Sequence, residues 1–262
     1  MITMQYRHLK WRSQMNEKPE IGKDVIPEDH LLVHLCKLRE LERIAEIGVF
    51  GGNLTNRVLN NCPTVKEYYA VDPWKVYIES YDRPPHARET KQEWWEEIFQ
   101  KVRTIKKHFP NKLIIKRMES IKAARELEKV MTTDDSKFDA VYLDGIHDAP
   151  NLINDIYVWL PLCKDYGTIC GHDYIKRYRN MMIALDEIFG DHFNFWQIDK
   201  SLPAEAHRNQ AQGGNWWIHL TPEIKKETIK NIETKYSMLL LMGNQDKIQA
   251  DYEVGIRKKG VE

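Results

Sequence analysis

Several residues combine types and spacings that can do chemistry. Glu46-Ile47-Gly48-Val49-Phe50-Gly51-Gly52 joins an apolar run to a helical pattern, and its glycines permit a tight turn and a close backbone approach to a ligand. Asp72 ends the next apolar run about twenty residues beyond Gly52, where a strand-end acid of a nucleotide-binding α/β sheet accepts hydrogen bonds from ribose hydroxyls. Read plainly, the same residues are a structural loop and a solvated strand terminus. A pyrophosphate site needs GxGxxG at a helix N-terminus; here Phe50 breaks that spacing and Glu46 adds negative charge, so the loop suits a cationic ligand better than an anionic one.

Asp144 and Asp173 are two further acids at or just past strand ends, and in an open α/β sheet such positions fall at the ligand crevice. Two carboxylates a few ångströms apart repel unless one is protonated or a cation lies between them, and an all-oxygen set suits Mg²⁺ or Ca²⁺. The alternative is a pair of solvated acids that never meet. His147 follows Asp144 by three residues, and a histidine of unperturbed pKa about 6.5 can take a proton from an alcohol there, or cap the helix that begins near Pro150. His172 orients Asp173, packs against a cofactor or fills a metal position.

The glycine turn with Glu46 resembles the first motif of class I S-adenosylmethionine-dependent methyltransferases, acid-x-Gly-x-x-x-Gly, and Asp72 resembles their ribose-binding acid. Val71-Asp72-Pro73-Trp74, Arg117-Met118-Glu119-Ser120, Leu143-Asp144-Gly145-Ile146-His147 and Gly167-Thr168-Ile169-Cys170-Gly171-His172-Asp173-Tyr174 are similar to the family-24 pattern of small-molecule and sugar O-methyltransferases. The match spans about residues 40 to 220. It implies that Glu46, Gly48 and Gly52 shape the methionine end of an S-adenosylmethionine pocket, that Asp72 holds the ribose, and that Met118, Glu119 and Ser120 flank the adenine. It also implies a divalent cation, Mg²⁺ or another, at Asp144 and Asp173; Asp144 and, by its place in the loop above the pocket, His147 are the candidate catalytic residues. Tyr174 stands where catechol-type enzymes carry an Asn, which leaves the third metal ligand open to His172 or a water.

The resemblance thus leads to an O-methyltransferase acting on a hydroxyl of a sugar or other small molecule. Two readings compete. A nicotinamide-dependent oxidoreductase shares the fold class and the ribose acid, although the loop spacing and Glu46 count against it. A non-catalytic nucleoside-binding module would keep the pocket without turnover.

The elements that must position these residues follow from the hydrophobic pattern. Pro27-Glu28-Asp29 opens a helix with Leu31, Leu32, Leu35 and Leu38 on one face, and Arg43–Val49 reads as a central parallel strand. Strands at 67–71, 113–115, 138–144 and 168–170 alternate with helices at 121–131, 151–160 and 180–188. Strands at 193–198 and 215–220 follow without a helix between them, which predicts an antiparallel strand at one edge. The expected fold is therefore a Rossmann-like, open, mostly parallel α/β sheet with helices on both faces. In Asn215-Trp216-Trp217-Ile218-His219 the two tryptophans should point to opposite faces, so core packing outweighs a sugar-stacking platform.

Around that sheet, residues 1–24 read as an N-terminal arm, 25–221 as the main domain, 74–109 within it as a lid-like insert, and 222–262 as a helix and charged tail. Trp94, Trp95, Ile98, Phe99, Val102 and Ile105 give the insert an apolar stripe at helical spacing, read mostly as core, with Arg103, Lys106, Lys107 and His108 as a solvated flank.

Composition bounds the partners. Basic and acidic residues balance at 39 each, so no global positive field favours nucleic acid. Four cysteines without a CxxC fit a reducing cytoplasm, and the start of the chain lacks the apolar segment of a secretion signal. No stretch is apolar for long enough to span a membrane. A small-molecule acceptor is the expected partner, and a homo-oligomer is compatible with everything above.

Overall fold

The computed structural model describes residues 30–76, 91–146, 148–174, 178–192, 194–196 and 214–237. A seven-stranded sheet runs in the order β3-β2-β1-β4-β5-β7-β6. Strands β1 (Arg43–Ile47), β2 (Glu67–Val71), β3 (Leu113–Lys116), β4 (Phe138–Leu143) and β5 (Cys163–Gly171) are mutually parallel. The expected antiparallel element is present: β7 (Asn215–His219) runs antiparallel to β5 and to β6 (Asn194–Trp196), and β6 is the outermost strand. Strand order reverses between β1 and β4, the position at which an open α/β sheet leaves a crevice beyond its strand ends.

Strand parity divides the core in two. Ile44, Tyr68, Ala70, Tyr142, Cys170 and Trp217 face helices α1 (Leu31–Arg39), α2 (Asn53–Asn61) and α3 (Gln92–His108). Ala45, Ile47, Val141, Leu143, Ile169 and Trp216 face α4 (Ser120–Glu128), α5 (Ala149–Trp159), α6 (Arg179–Phe189) and α7 (Pro222–Lys235). Trp216 and Trp217 are thus buried on opposite faces as core residues.

Three elements differ from their sequence reading. Helix α1 is capped by His30, whose Nδ1 accepts the Leu32 N–H at 3.3 Å, and Leu38 in its last turn is exposed. Within the expected lid-like insert, α3 is the crossover between β2 and β3. Trp95, Ile98 and Val102 seat it on the sheet, and residues 77–90 lie outside the described residues. Strand β5 begins at Cys163, five residues before the apolar signal at Thr168, because its first turns are polar. Lys164 Nζ meets Asp139 at 2.7 Å there, and Lys225 Nζ of α7 meets Asp165 at 2.9 Å.

Helix α7 opens with Thr221 as N-cap and Pro222 in its first turn, and packs Ile232 into the core. The arm at 1–24 and the tail from 238 lie outside the described residues. Among the described residues, no helix is long and apolar enough to cross a membrane.

Candidate active site

The loops that follow β1, β2, β3, β4 and β5 gather at one edge of the sheet, because five parallel strands all end there. Gly48 leaves β1 with φ +88°, its N–H donating to Val71 O at 2.9 Å. A Cβ at this position would stand 2.1 Å from the carbonyl oxygen of Asp144, so only glycine lets the β1 and β4 loops pass. Gly52, at φ +76°, is the N-cap residue of α2, and a Cβ there would meet Ile105 of α3 at 2.7 Å. Between them Phe50 takes a left-handed φ of 51° and packs against Trp94 and Trp95.

Asp72 holds this turn. Its carboxylate accepts the Phe50 N–H at 3.0 Å and the Trp74 N–H at 2.7 Å, while the Trp74 indole N–H donates to Phe50 O at 2.8 Å. Burial pushes the Asp72 pKa up to about 6, and the hydrogen bonds from Phe50 and Trp74 act against that rise. Each carboxylate oxygen carries two lone pairs, so the acid keeps acceptor capacity for a ligand.

Glu46 shares the parity of Ile44 and points toward α2. Its Oε2 accepts the Thr55 hydroxyl at 2.5 Å and the Tyr68 hydroxyl at 2.7 Å. Burial raises its pKa to about 8; the two hydroxyls oppose the shift, and Asp144 and Asp72 reinforce it. Glu46 is therefore a neutral buried acid at pH 7 until a positive charge arrives.

Beyond β3, Met118 packs against the core on the α4–α7 face, and Glu119 pairs with Lys75 at the surface. Ser120 opens α4 and turns inward: its hydroxyl donates to Asp155 Oδ1 at 2.5 Å and accepts the Trp159 indole N–H at 2.8 Å. Burial pushes the Asp155 pKa up to about 7, against the Ser120 hydrogen bond. Asp155 and Trp159 are not among the residues singled out from the sequence. The available signal was Asp155 two turns beyond the helix N-cap Asp148, an acid on the same helix face as apolar Leu152 and Trp159.

Beyond β4 and β5, Asp144, His172 and Asp173 each offer one ligand atom within 4.8 Å of the others. His172 Nδ1 stands 3.2 Å from Asp173 Oδ1 and 3.9 Å from Asp144 Oδ1, and Asp173 adopts φ +60°. The two expected acids do meet, with His172 as the third donor. Tyr174 sends its hydroxyl to Asp186 of α6 at 3.0 Å, away from this cluster. Behind the cluster, His30 Nε2 lies 3.1 Å from the Tyr142 hydroxyl, and the His30 ring stacks near His172 at 6.3 Å between centroids. Burial first, then His172 and Arg57, lower the His30 pKa to about 3, so this imidazole stays neutral. His30 is likewise not among the residues singled out from the sequence. His147 lies outside the described residues.

Because the folded-state pKa of Glu46 lies above its unfolded value near 4.5, folding takes up a proton between these two pH values, and stability falls as pH rises through that window. Gln has no proton to take up and keeps a carbonyl for Thr55 and Tyr68. Glu46→Gln should lie within about 1 kcal/mol of the wild type near pH 5 and exceed it by roughly 4 kcal/mol near pH 8, as urea unfolding at the two pH values would measure. A difference independent of pH would mean that Glu46 is ionised in the folded protein.

The sequence profile of a family described as a methyltransferase domain matches residues 45–174. No curated protein matches the chain. Among solved structures, the chain is similar to the O-methyltransferase TomG of tomaymycin synthesis from Streptomyces achromogenes, at 13% identity and TM-score 0.49, covering 72% of this chain and 78% of that one. It is also similar to a proposed O-methyltransferase from Klebsiella pneumoniae, at 15% identity and TM-score 0.47, covering 72% and 78%. A proposed caffeoyl-CoA O-methyltransferase from Staphylococcus aureus gives 15% identity, TM-score 0.47 and coverage of 80% and 90%. The profile match begins inside β1 and ends just past β5, taking in the glycine turn, Asp72 and the Asp144–Asp173 cluster, and it places the chain in the family-24 methyltransferases, class I enzymes that draw their methyl group from S-adenosylmethionine.

Proposed function

We propose that this methyltransferase acts on a hydroxyl of a small molecule, a sugar or similar polyol, with a divalent cation held by Asp144, Asp173 and His172. The observation that carries the reading is the meeting of these three side chains at the edge where the parallel strands end, the place at which an open α/β sheet binds ligands. The donor set fits a cation: two carboxylates and an imidazole converge within 4.8 Å, and the carboxylates would otherwise repel. A bound Mg²⁺ or similar ion supplies Lewis acidity, which lowers the pKa of an alcohol.

The chain's own residues would do the rest. Gly48 and Gly52 let the backbone close on the cofactor, and Asp72, already fixed by two loop amides, presents its remaining lone pairs to the ribose. Glu46 faces the positive end of S-adenosylmethionine, and a nearby sulfonium or ammonium favours its ionised form. Met118, Glu119 and Ser120 line the adenine side. His147 takes the acceptor's hydroxyl proton onto its imidazole as the methyl group moves in line to oxygen. The family match favours methyl transfer over hydride transfer to a nicotinamide.

Calorimetry tests the cofactor contacts. Asp72→Ala should weaken S-adenosylmethionine binding by roughly tenfold or more, since a hydrogen bond to a charged group contributes about 1.5 to 3 kcal/mol. Unchanged affinity would remove Asp72 from the site.

The metal assignment is tested with a sugar acceptor panel. Chelation should abolish turnover, Mg²⁺ should restore it, and Asp144→Asn or Asp173→Asn should each raise the Mg²⁺ concentration required. Full turnover in exhaustively chelated, metal-free enzyme would leave the three side chains as substrate contacts.

His147→Ala should lower kcat by roughly 10²- to 10⁴-fold with little change in S-adenosylmethionine affinity, and should erase the acid limb of the pH–rate profile. The wild type should lose activity as pH falls through the imidazole pKa, because the protonated ring cannot accept. An intact acid limb in the mutant would assign that limb to another group.

A further inference from the structure

Among the described residues the Ser120 hydroxyl has two hydrogen-bond partners, Asp155 and Trp159. A serine oxygen has one proton to donate and two lone pairs to accept with. Asp155 Oδ1 takes the proton at 2.5 Å, and the Trp159 indole N–H, which can only donate, occupies one lone pair at 2.8 Å. One lone pair remains. Toward anything lying on the β3–β4 side of the sheet edge, Ser120 is therefore an acceptor and not a donor.

Asp155 adds to this polarity. Its Oδ2 lies 3.6 Å from the position a Cβ would take on Gly145, so the carboxylate backs the loop that leaves β4, directly after Asp144. Ser120 follows β3, and β3 and β4 flank the β2–β1 pair, so these two loops bound the sheet-edge region in which the base would sit. Once Asp155 is ionised, above its pKa of about 7, both remaining valences of the pair, the Ser120 lone pair and Asp155 Oδ2, are acceptors.

We propose that Asp155 is a positioning residue that sets the hydrogen-bond polarity of the base pocket: by consuming the Ser120 proton, it makes the site select a nucleobase carrying an exocyclic amine and reject one carrying a carbonyl in that place. The inference rests on the reading that Met118, Glu119 and Ser120 line the adenine side. Adenine offers an amino group at position 6, and hypoxanthine offers a carbonyl. Against acceptors alone, that carbonyl would desolvate without a partner and face two oxygens. With Asp155 removed, the Ser120 hydroxyl can rotate and donate, so the discrimination is lost while the pocket's shape remains.

Calorimetric Kd values for S-adenosylhomocysteine and its 6-oxo inosine analogue at about pH 8.5, where Asp155 is ionised, test this without turnover. The wild type should prefer the adenosine compound by about tenfold or more. Asp155→Ala should cut that preference by about fivefold or more, and Asp155→Asn, which places an amide donor beside Ser120, should cut it further. Trp159→Phe should keep the wild-type preference, because Ser120 still gives its proton to Asp155. A merely structural role would lower the preference in all three variants or in none.

Cooperative thermal unfolding of each variant shows which ones are folded, and either Asp155 variant suffices for the comparison. A wild-type preference retained by a folded Asp155 variant, or equal wild-type affinity for the two compounds, would overturn the inference alone. Failure of the wild type to bind S-adenosylhomocysteine at all would overturn the cofactor reading and this inference with it.

Discussion

The backbone of Gly48 passes so close to the carbonyl of Asp144 that the site's two halves are set by one contact. Gly48 N–H bonds to Val71 O, and Asp144 N–H bonds to Ile47 O at 2.8 Å, so the last rungs of β2, β1 and β4 close around this glycine. The β2 rung fixes where Asp72 leaves the sheet, and the β4 rung fixes where Asp144 leaves it. The turn between Gly48 and Gly52 is held from the outside as well: Asp72 accepts from Phe50, the Trp74 ring donates to Phe50 O, and α3 presses on Gly52 through Ile105 and Val102. Residue positions that would be independent in an open loop are coupled here through hydrogen bonds and close packing.

Acids crowd this edge, and their protonation is divided among them by what each one touches. Asp144 and Asp72 reinforce the burial that raises the Glu46 pKa, and burial first, with Asp144, Glu46 and Asp173 behind it, raises the pKa of the Tyr142 phenol. Glu46 meets this field by staying protonated near neutral pH, pushed to about 8, whereas Asp72 is held to about 6 with the help of backbone amides. The arrangement disfavours an anion and favours a cation. That preference suits a sulfonium cofactor better than a pyrophosphate one, and it follows from burial and hydrogen bonding together, beyond the bare count of carboxylates.

The sequence made the frame of this site readable because strand ends in a parallel sheet are marked by a change in residue type. Arg43–Ile47, Glu67–Val71 and Phe138–Leu143 stand out as apolar runs that stop at Gly48, Asp72 and Asp144, and burial on both faces is what makes such runs apolar. Strand β5 was legible only in its second half, since Lys164 and Asp165 pair with charged side chains rather than with the core. The lid-like reading of 74–109 failed to single out α3 as the crossover because an apolar stripe at helical spacing does not say which surface it will cover. Ser120 was placed by resemblance on the cofactor, yet its inward partners Asp155 and Trp159 lie 35 and 39 residues away, a pairing that no local pattern encodes. His30 escaped notice for the same reason: its bond to Tyr142 spans 112 residues.

The two edges of the sheet show how position, more than residue type, decides what a carboxylate does. At the edge where the strands begin, acids are matched to cations and amides: Glu67 takes the Arg43 guanidinium at 2.7 Å, and Asp139 takes Lys164 together with the N–H groups of Glu42 and Arg43. Those contacts stitch β1, β2, β4 and β5 together and depend on no ligand. At the opposite edge Glu46 meets hydroxyls, Asp72 meets backbone amides and Asp173 meets an imidazole, while Glu119 pairs with Lys75 at the surface. Helix α2 also begins at this second edge, and its N-terminal dipole adds a small positive bias there that the buried acids outweigh. The charge pairs that join the strands, Arg43–Glu67 and Lys164–Asp139, thus lie at the edge opposite Glu46, Asp72, Asp144 and Asp173, so substitutions at these four acids leave those strand-joining pairs in place.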